Sequence, residues 1–295
     1  MVNPHPFQNW NAMVTGGAGG LGRAIATRLV ERGIRCLLVD INEATLAAAV
    51  RDLGPLALSH VADLTDPAAR EQLVERVRSD FGHLDVLINN AGIVGTQAFE
   101  QRTAASIRGE LELNLVGPLL LTHSLLPTLQ SAKDARVISI VSLGGLFPMA
   151  ESTVYSASKF GLRGAMLCLG LDGPRLGVRF SIVNPSATET PMLMREAVHG
   201  GNKLQFMDPP QQPDEVALQV LRCLEQPCLE SFVRPAESWT VRLAMLFPNL
   251  LRRVTPLMER SGERGHQRYL RSLAQRGLIR QNGSRWELVS ESRRK

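Results

Sequence analysis

Three residues separate Tyr155 from Lys159 in the run Tyr155-Ser156-Ala157-Ser158-Lys159. If one helix continues from here through Phe160-Gly161-Leu162, the phenol and the ammonium project from the same face. A free tyrosine ionises only near pH ~10, and an adjacent cation favours the phenolate and lowers that value. Such a phenol is a usable acid or base for interconverting an alcohol and a carbonyl near neutrality. Taken alone, the pair is an ordinary amphipathic helix face. Its weight therefore depends on its surroundings.

Ser142 stands thirteen residues before Tyr155, at the end of a strand predicted over 136–141. The loop after it, 143–150, is apolar and could line a substrate pocket with Leu143, Gly144, Phe147 and Met149. Asn114 lies amid Leu111, Leu113, Leu115 and Val116 in a helical stretch over 102–129. A buried amide needs partners, and by itself Asn114 reads as a structural clip.

The elements that would position these groups alternate. A strand ending at Thr15 runs into Gly16-Gly17-Ala18-Gly19-Gly20-Leu21-Gly22 and then a helix over 23–32. Glycines allow a tight turn and close approach to a pyrophosphate, while the helix amino terminus offers free N–H groups and a positive dipole end. A second strand, 36–40, ends in Asp40, whose carboxylate would accept hydrogen bonds from an adenosine ribose and repel a 2′-phosphate. With no basic residue in the glycine loop or at Ile41, the cofactor expected is NAD. The other reading of Asp40 is a cap or turn residue before the helix over 43–53. Further strands at 56–61, 84–88 and 179–183 alternate with helices, the pattern of a doubly wound, Rossmann-like parallel sheet with helices on both faces.

Together these pieces resemble the short-chain dehydrogenase/reductase family over roughly 11–192, with five motifs in order. The resemblance implies that Thr15, Gly16, Gly20, Leu21 and Gly22 bind the dinucleotide. It implies that Asp63 and Leu64 contact adenine, and that the Asn89-Asn90-Ala91-Gly92 turn, through Asn90, Ala91 and Gly92, borders the cofactor. It gives Asn114, Ser142, Tyr155 and Lys159 as a catalytic tetrad, with Tyr155 and Lys159 also touching cofactor. After the sixth strand the family usually has Pro-Gly. Here Pro185 is followed by Ser186, and Thr188 replaces the usual Val or Ile, while Thr190 is retained. The resemblance still implies that Pro185, Thr188 and Thr190 contact the nicotinamide end.

Residues 193–213 have the glycines, prolines and mixed polarity of a lid over substrate, with Met192 at its entrance. We divide the chain into a catalytic domain, 1–236, and an extension, 237–295, that is apolar and helical to Met258 and then basic. From 250 to 295 twelve basic and four acidic residues give +8, against +5 for the whole chain. That excess raises nucleic acid and anionic lipid as partners. Scarce aromatic residues argue against nucleic acid, while the apolar part suits extra pocket walls or a subunit contact, peripheral membrane contact, or a partner groove.

The four cysteines are scattered through apolar segments without metal-ligand spacing, so no metal or disulfide framework is expected. No leader pattern opens the sequence and no run of eighteen apolar residues occurs, which points to a soluble cytoplasmic protein. The function expected is NAD-dependent interconversion of a hydrophobic alcohol, such as a steroid, retinoid or fatty alcohol, and its ketone or aldehyde by a homodimer or homotetramer. The alternatives are reduction of a quinone, enone or imine on the same scaffold, or dinucleotide sensing without turnover.

Overall fold

The computed structural model describes residues 7–283 and 285–289. The amino-terminal start and the end of the basic tail, on which the leader reading and part of the +8 rest, lie outside the described residues.

Strand composition sets the sheet. β1 (Asn11–Thr15), β2 (Arg35–Asp40), β4 (Val86–Asn89), β5 (Ala135–Ile140) and β6 (Val178–Asn184) are buried along nearly their whole length. This is the mark of a parallel sheet covered on both faces. β3 (Ala57–Val61) and the short β7 (Glu230–Phe232) are the two edges, and β3 alternates between covered and open positions. Among the described residues these seven strands form one parallel sheet in the order β3-β2-β1-β4-β5-β6-β7. The order reverses between β1 and β4, and the crevice at their carboxyl ends is where such a sheet binds ligands.

Strand period then divides the core. Met13, Leu37, Leu87, Val137 and Phe180 are in register and face α3 (Pro67–Phe81), α5 (Gly117–Gln130) and α6 (Thr153–Leu176). Their neighbours Val14, Leu38, Ile88 and Ile138 face α1 (Gly20–Val30), α2 (Glu43–Leu53) and α8 (Pro213–Glu225). Local signals end the helices as capping chemistry requires. Asn42 caps α2 through Thr45 N–H at 3.0 Å, and Asp66 caps α3 through Ala68 N–H at 3.0 Å. Asp40 is thus not a helix cap.

Three readings change. The predicted helix over 102–129 is α4 (Ala104–Leu111) and α5 joined by a π-helical turn, Glu112–Val116. The stretch read as a lid contains α7 (Pro191–His199) and a 3-10 turn, Lys203–Phe206. The extension holds α9 (Pro235–Met245) and α10 (Pro248–Gln275), as its apolar pattern suggested, but closes with an antiparallel hairpin of β8 (Ile279–Asn282) and β9 (Arg285–Leu288). Nor are all four cysteines apart: the end of α8 turns back so that Cys223 and Cys228 bring their sulfurs to 3.8 Å.

The outer half of α10 and the hairpin form a third core with α7, in which Leu193, Ala197 and Phe206 meet Tyr269, Leu270, Leu273, Ile279 and Leu288. Gly262 and Gly265 make this docking close. A Cβ on Gly265 would stand 1.7 Å from the Phe206 carbonyl oxygen, and one on Gly262 2.4 Å from that of Lys203. Lys203 also pairs with Glu263.

Candidate active site

The glycine turn is shaped by contacts that leave no room for side chains. Gly16 has φ +64°, and a Cβ on Gly22 would lie 2.0 Å from the Gly16 carbonyl oxygen. The helix that follows, α1, is capped by Gly19 with no side-chain hydrogen bond, so no side chain occupies the N–H groups of its first turn. A turn that admits no Cβ at Gly16, Gly17 or Gly22, in front of an uncapped helix end, fits a dinucleotide pyrophosphate. Asp40 sits beside it: one carboxylate oxygen accepts from Ala18 N–H at 3.1 Å and the other from Asn42 N–H at 3.1 Å. The carboxylate is therefore held to the glycine loop at the end of β2.

β1 and β4 are tied together at the same edge. The Thr15 hydroxyl accepts from the N–H groups of Asn90 and Ala91, both at 3.0 Å, and the Asn90 amide donates to the carbonyls of Thr15 at 2.9 Å and Gly16 at 3.2 Å. The Asn90 side chain thus braces the turn. Gly92 lies between two groups of the other motif: a Cβ there would be 3.1 Å from Asn114 Oδ1 and 3.7 Å from Lys159 Nζ.

β5 delivers Ser142 to the same edge, and α6 delivers Tyr155 and Lys159. The Ser142 hydroxyl accepts from Gly144 N–H at 3.0 Å, and it and the Tyr155 ring both lie against Gly144, where the hydroxyl favours ionisation of the phenol. Lys159 is buried and donates to the Ile140 carbonyl at 3.0 Å; its Nζ lies 5.9 Å from the centre of the Tyr155 ring. Asn114 is fully buried in the π-helical turn. Its amide pairs in both directions with the Ile93 backbone at 2.8 and 2.9 Å and donates to Ser158 at 3.2 Å.

The electrostatics differ from the sequence expectation. Burial pushes the Tyr155 phenol up to about 12, opposed by the nearby Ser142 hydroxyl, and the charges of Glu196 and Glu110 add to the rise. Burial also lowers the Lys159 ammonium to about 8. Desolvation outweighs attraction here because Lys159 lies under the ring, bonded to a carbonyl, without touching the phenol oxygen.

On the substrate side, the Tyr155 ring and Met149 both close on Gly144, since a Cβ on Gly144 would meet Tyr155 Cε1 at 3.1 Å and Met149 Cε at 3.2 Å. Phe147 is buried, while Leu143 and, on α7, Met192 are partly exposed. The loop after β6 completes the rim. The Pro185 carbonyl accepts from Leu143 N–H at 2.9 Å, and Thr190 caps α7 through Leu193 N–H at 3.3 Å. Thr188 bridges to Gln211, and Gly20 comes within 3.4 Å of Thr190 when given a Cβ. Asp63 is exposed and closes its own turn on Thr65 at 2.7 and 2.9 Å; Leu64 is buried in the core facing α3 and α5.

The family pattern of the short chain dehydrogenases matches residues 11–199, well over half of the sequence. This chain belongs to that family. It is 33% identical to the levodione reductase of Leifsonia aquatica over 222 residues, 72% of this chain and 80% of that protein. To the cis-4-hydroxycyclohexanecarboxylate dehydrogenase of Sinomonas cyclohexanicum it is 33% identical over 185 residues, 62% of this chain and 74% of that one. The crystal structure of the 3-ketoacyl-(acyl-carrier-protein) reductase from Brucella melitensis, complexed with NADH, superposes with a TM-score of 0.69 at 23% identity, covering 77% of this chain and 98% of that one. The latter shows the shared fold. This short chain dehydrogenase is thus an oxidoreductase.

Sequence reading of this dehydrogenase passed over one acidic group that the fold brings near Tyr155. Glu110 is fully buried and paired with Arg102, itself buried. Glu196, on α7, accepts from Gln205 at 3.1 Å. Its carboxyl is pushed up to about 7, first by burial and then by Glu110, against the pull of Gln205 and Arg195. Nothing in the spacing of Glu110 and Glu196, 86 residues apart, announces their meeting. The raised group has a defined sign: the folded chain keeps a proton that the unfolded chain loses above about 4.5, so stability falls as pH rises from there through about 7. Glu196→Gln keeps the acceptor for Gln205 but cannot ionise. Its melting temperature is expected to equal that of the parent near pH 4.5 and to exceed it at pH 8, by on the order of 2 kcal/mol in stability; equal melting at both pH values would refute the burial of a charge there.

Proposed function

We propose that this chain is an NAD-dependent dehydrogenase that interconverts a hydrophobic alcohol and its ketone or aldehyde, with Tyr155 as the acid and base. The observation that carries the reading is the meeting of the Ser142 hydroxyl and the Tyr155 ring around Gly144, with buried Lys159 beneath the ring, beside a glycine turn in which Gly16, Gly17 and Gly22 leave no room for a Cβ. Gly16, Gly20, Leu21 and Gly22 would hold the pyrophosphate, Asp40 the adenosine ribose, Asp63 and Leu64 the adenine. Ala91, Gly92, Pro185, Thr188 and Thr190 would border the nicotinamide half, with Asn90 bracing the turn. When bound, the dinucleotide supplies the acceptor or donor of hydride.

The chain's own residues do the rest. In oxidation Tyr155 takes the hydroxyl proton of the substrate, and Ser142, whose own oxygen is occupied by Gly144 N–H, donates to the substrate oxygen. Lys159 holds the nicotinamide ribose and favours the phenolate once the site is filled. Lowered to about 8, it also exchanges a proton readily near neutrality. The Asn114 amide is spent on Ile93 and Ser158, so the main chain of its widened turn is the group that would hold a water between Lys159 and solvent. Leu143, Gly144, Phe147, Met149 and Met192 make the substrate wall. The presence of all four reacting residues favours turnover over mere dinucleotide sensing, and the relatives named as a reductase and a dehydrogenase fit alcohol and carbonyl chemistry. Pairing of chains through α5 and α6 is supported by Leu120 and Leu171, 44% and 76% exposed on those helices.

The test is a screen of hydrophobic alcohols and ketones followed at the NADH absorbance, run in parallel with NADP(H). Turnover with NAD(H) at a catalytic efficiency roughly tenfold or more above NADP(H) is expected, since a 2′-phosphate would face the fixed Asp40 carboxylate. A preference for NADP(H) would overturn the part given to Asp40.

A further inference from the structure

Fourteen large apolar side chains are exposed among the described residues, and six of them fall on α9, the turn after it and the first half of α10. Trp239, Leu243 and Leu246 follow one another at helical spacing, and Phe247, Leu250 and Leu257 continue the face beyond the turn. Trp239 is 73% exposed and Phe247 62%. At the tip, Leu246, Phe247, Pro248, Asn249, Leu250 and Arg253 surround a shallow hollow. The charge around this face has one sign: between Glu237 and Glu259 stand Arg242, Arg252 and Arg253 and no acid. Arg242 is engaged with Glu230, whereas Arg252 and Arg253 are exposed and make no ion pair among the described residues. The same α10 then turns its buried Gly262 and Gly265 onto the segment over α7, so the tip is anchored to the folded body rather than hanging from it.

We propose that this tip docks on a bilayer containing anionic lipid, Trp239, Leu246 and Phe247 entering the headgroup boundary while Arg252 and Arg253 lie against the phosphates. No helix among the described residues is long and apolar enough to cross a membrane, so the contact is a surface one. An apolar stripe with basic flanks and an exposed tryptophan has the chemistry of the interface between headgroups and acyl chains. A second copy of the chain fits this face less well, because it would bring the unneutralised arginines of both together with no carboxylate between them.

The full chain should cosediment with vesicles of phosphatidylcholine and phosphatidylglycerol in equal parts, and much less with phosphatidylcholine alone. Raising salt should weaken the binding. Phe247→Glu should abolish it, and Arg252→Ala and Arg253→Ala should each weaken it roughly fivefold, since an arginine near a charged surface contributes about 1 kcal/mol. Dinucleotide binding should be unchanged in all three and reports that the variants fold. If Phe247→Glu misfolds, quenching of tryptophan fluorescence by brominated lipid, present in the parent and lost in Trp239→Phe, is the second measure. Absence of vesicle binding, equal binding to neutral vesicles, or a dimer in gel filtration that Phe247→Glu dissolves would each overturn the proposal, the last in favour of a second copy.

Discussion

Replacing Tyr155 by phenylalanine is expected to lower turnover by roughly a thousandfold or more, while the affinity for the dinucleotide stays within a few-fold of the parent. The variant removes one oxygen and leaves the ring that lies against Gly144, so the fold has no reason to change. It also removes the ionisable phenol itself. The sign with pH follows from the same group. Oxidation needs the phenolate, which burial opposes by moving the phenol up to about 12, so the oxidation rate in the parent should climb with pH, and reduction, which uses the neutral phenol, should not. Steady-state kinetics in both directions with a fluorescence titration of NADH separate these effects. A Tyr155→Phe chain that keeps its turnover would remove the phenol from the chemistry altogether.

Gly22→Ala is the second large effect. The added methyl would stand 2.0 Å from the Gly16 carbonyl oxygen and 2.8 Å from its carbon, and both are backbone atoms of the turn itself. No rotation of a side chain relieves that contact. Either α1 must back away from β1 or the turn must open, and both deform the cradle. A loss of about 1–3 kcal/mol in stability is expected, together with loss of measurable dinucleotide binding. Gly109→Ala in α4, where a Cβ meets nothing within 4 Å, is the control and should be neutral or slightly stabilising. Thermal unfolding and the NADH titration report the two consequences independently. Normal binding by Gly22→Ala would show that the close approach of turn and helix is not what shapes the site.

Much of the architecture could be read in advance because its signals are local. The apolar runs of β1, β2 and β5, the glycines between β1 and α1, and the capping residues Asn42 and Asp66 each act within a few residues of themselves. α2, expected over 43–53, was legible to the residue for this reason. The π-helical turn was not, since leucines surround Asn114 just as they would in an ordinary helix; what widens the helix is the pairing of Asn114 with the Ile93 backbone, twenty-one residues away. The closing hairpin escaped for a related reason. Its strands are short and polar, and their anchors, Ile279 and Leu288, have meaning only against α7 and α10.

The sequence by itself determined the parallel α/β architecture and the carboxylate at the end of β2, because side-chain period, turn chemistry and residue type are written along the chain, and its resemblance to a family named Asn114, Ser142, Tyr155 and Lys159 as the candidate set. Only the tertiary structure decided how those groups feel one another. It set Lys159 under the Tyr155 ring and on the Ile140 carbonyl, so that burial rather than a neighbouring cation governs the phenol. It also brought Glu110 and Glu196 into the same field, and laid α10 across the segment after β6 while leaving the α9 tip bare. Desolvation and charge act through space, and the distances that set them arise only when separate elements pack.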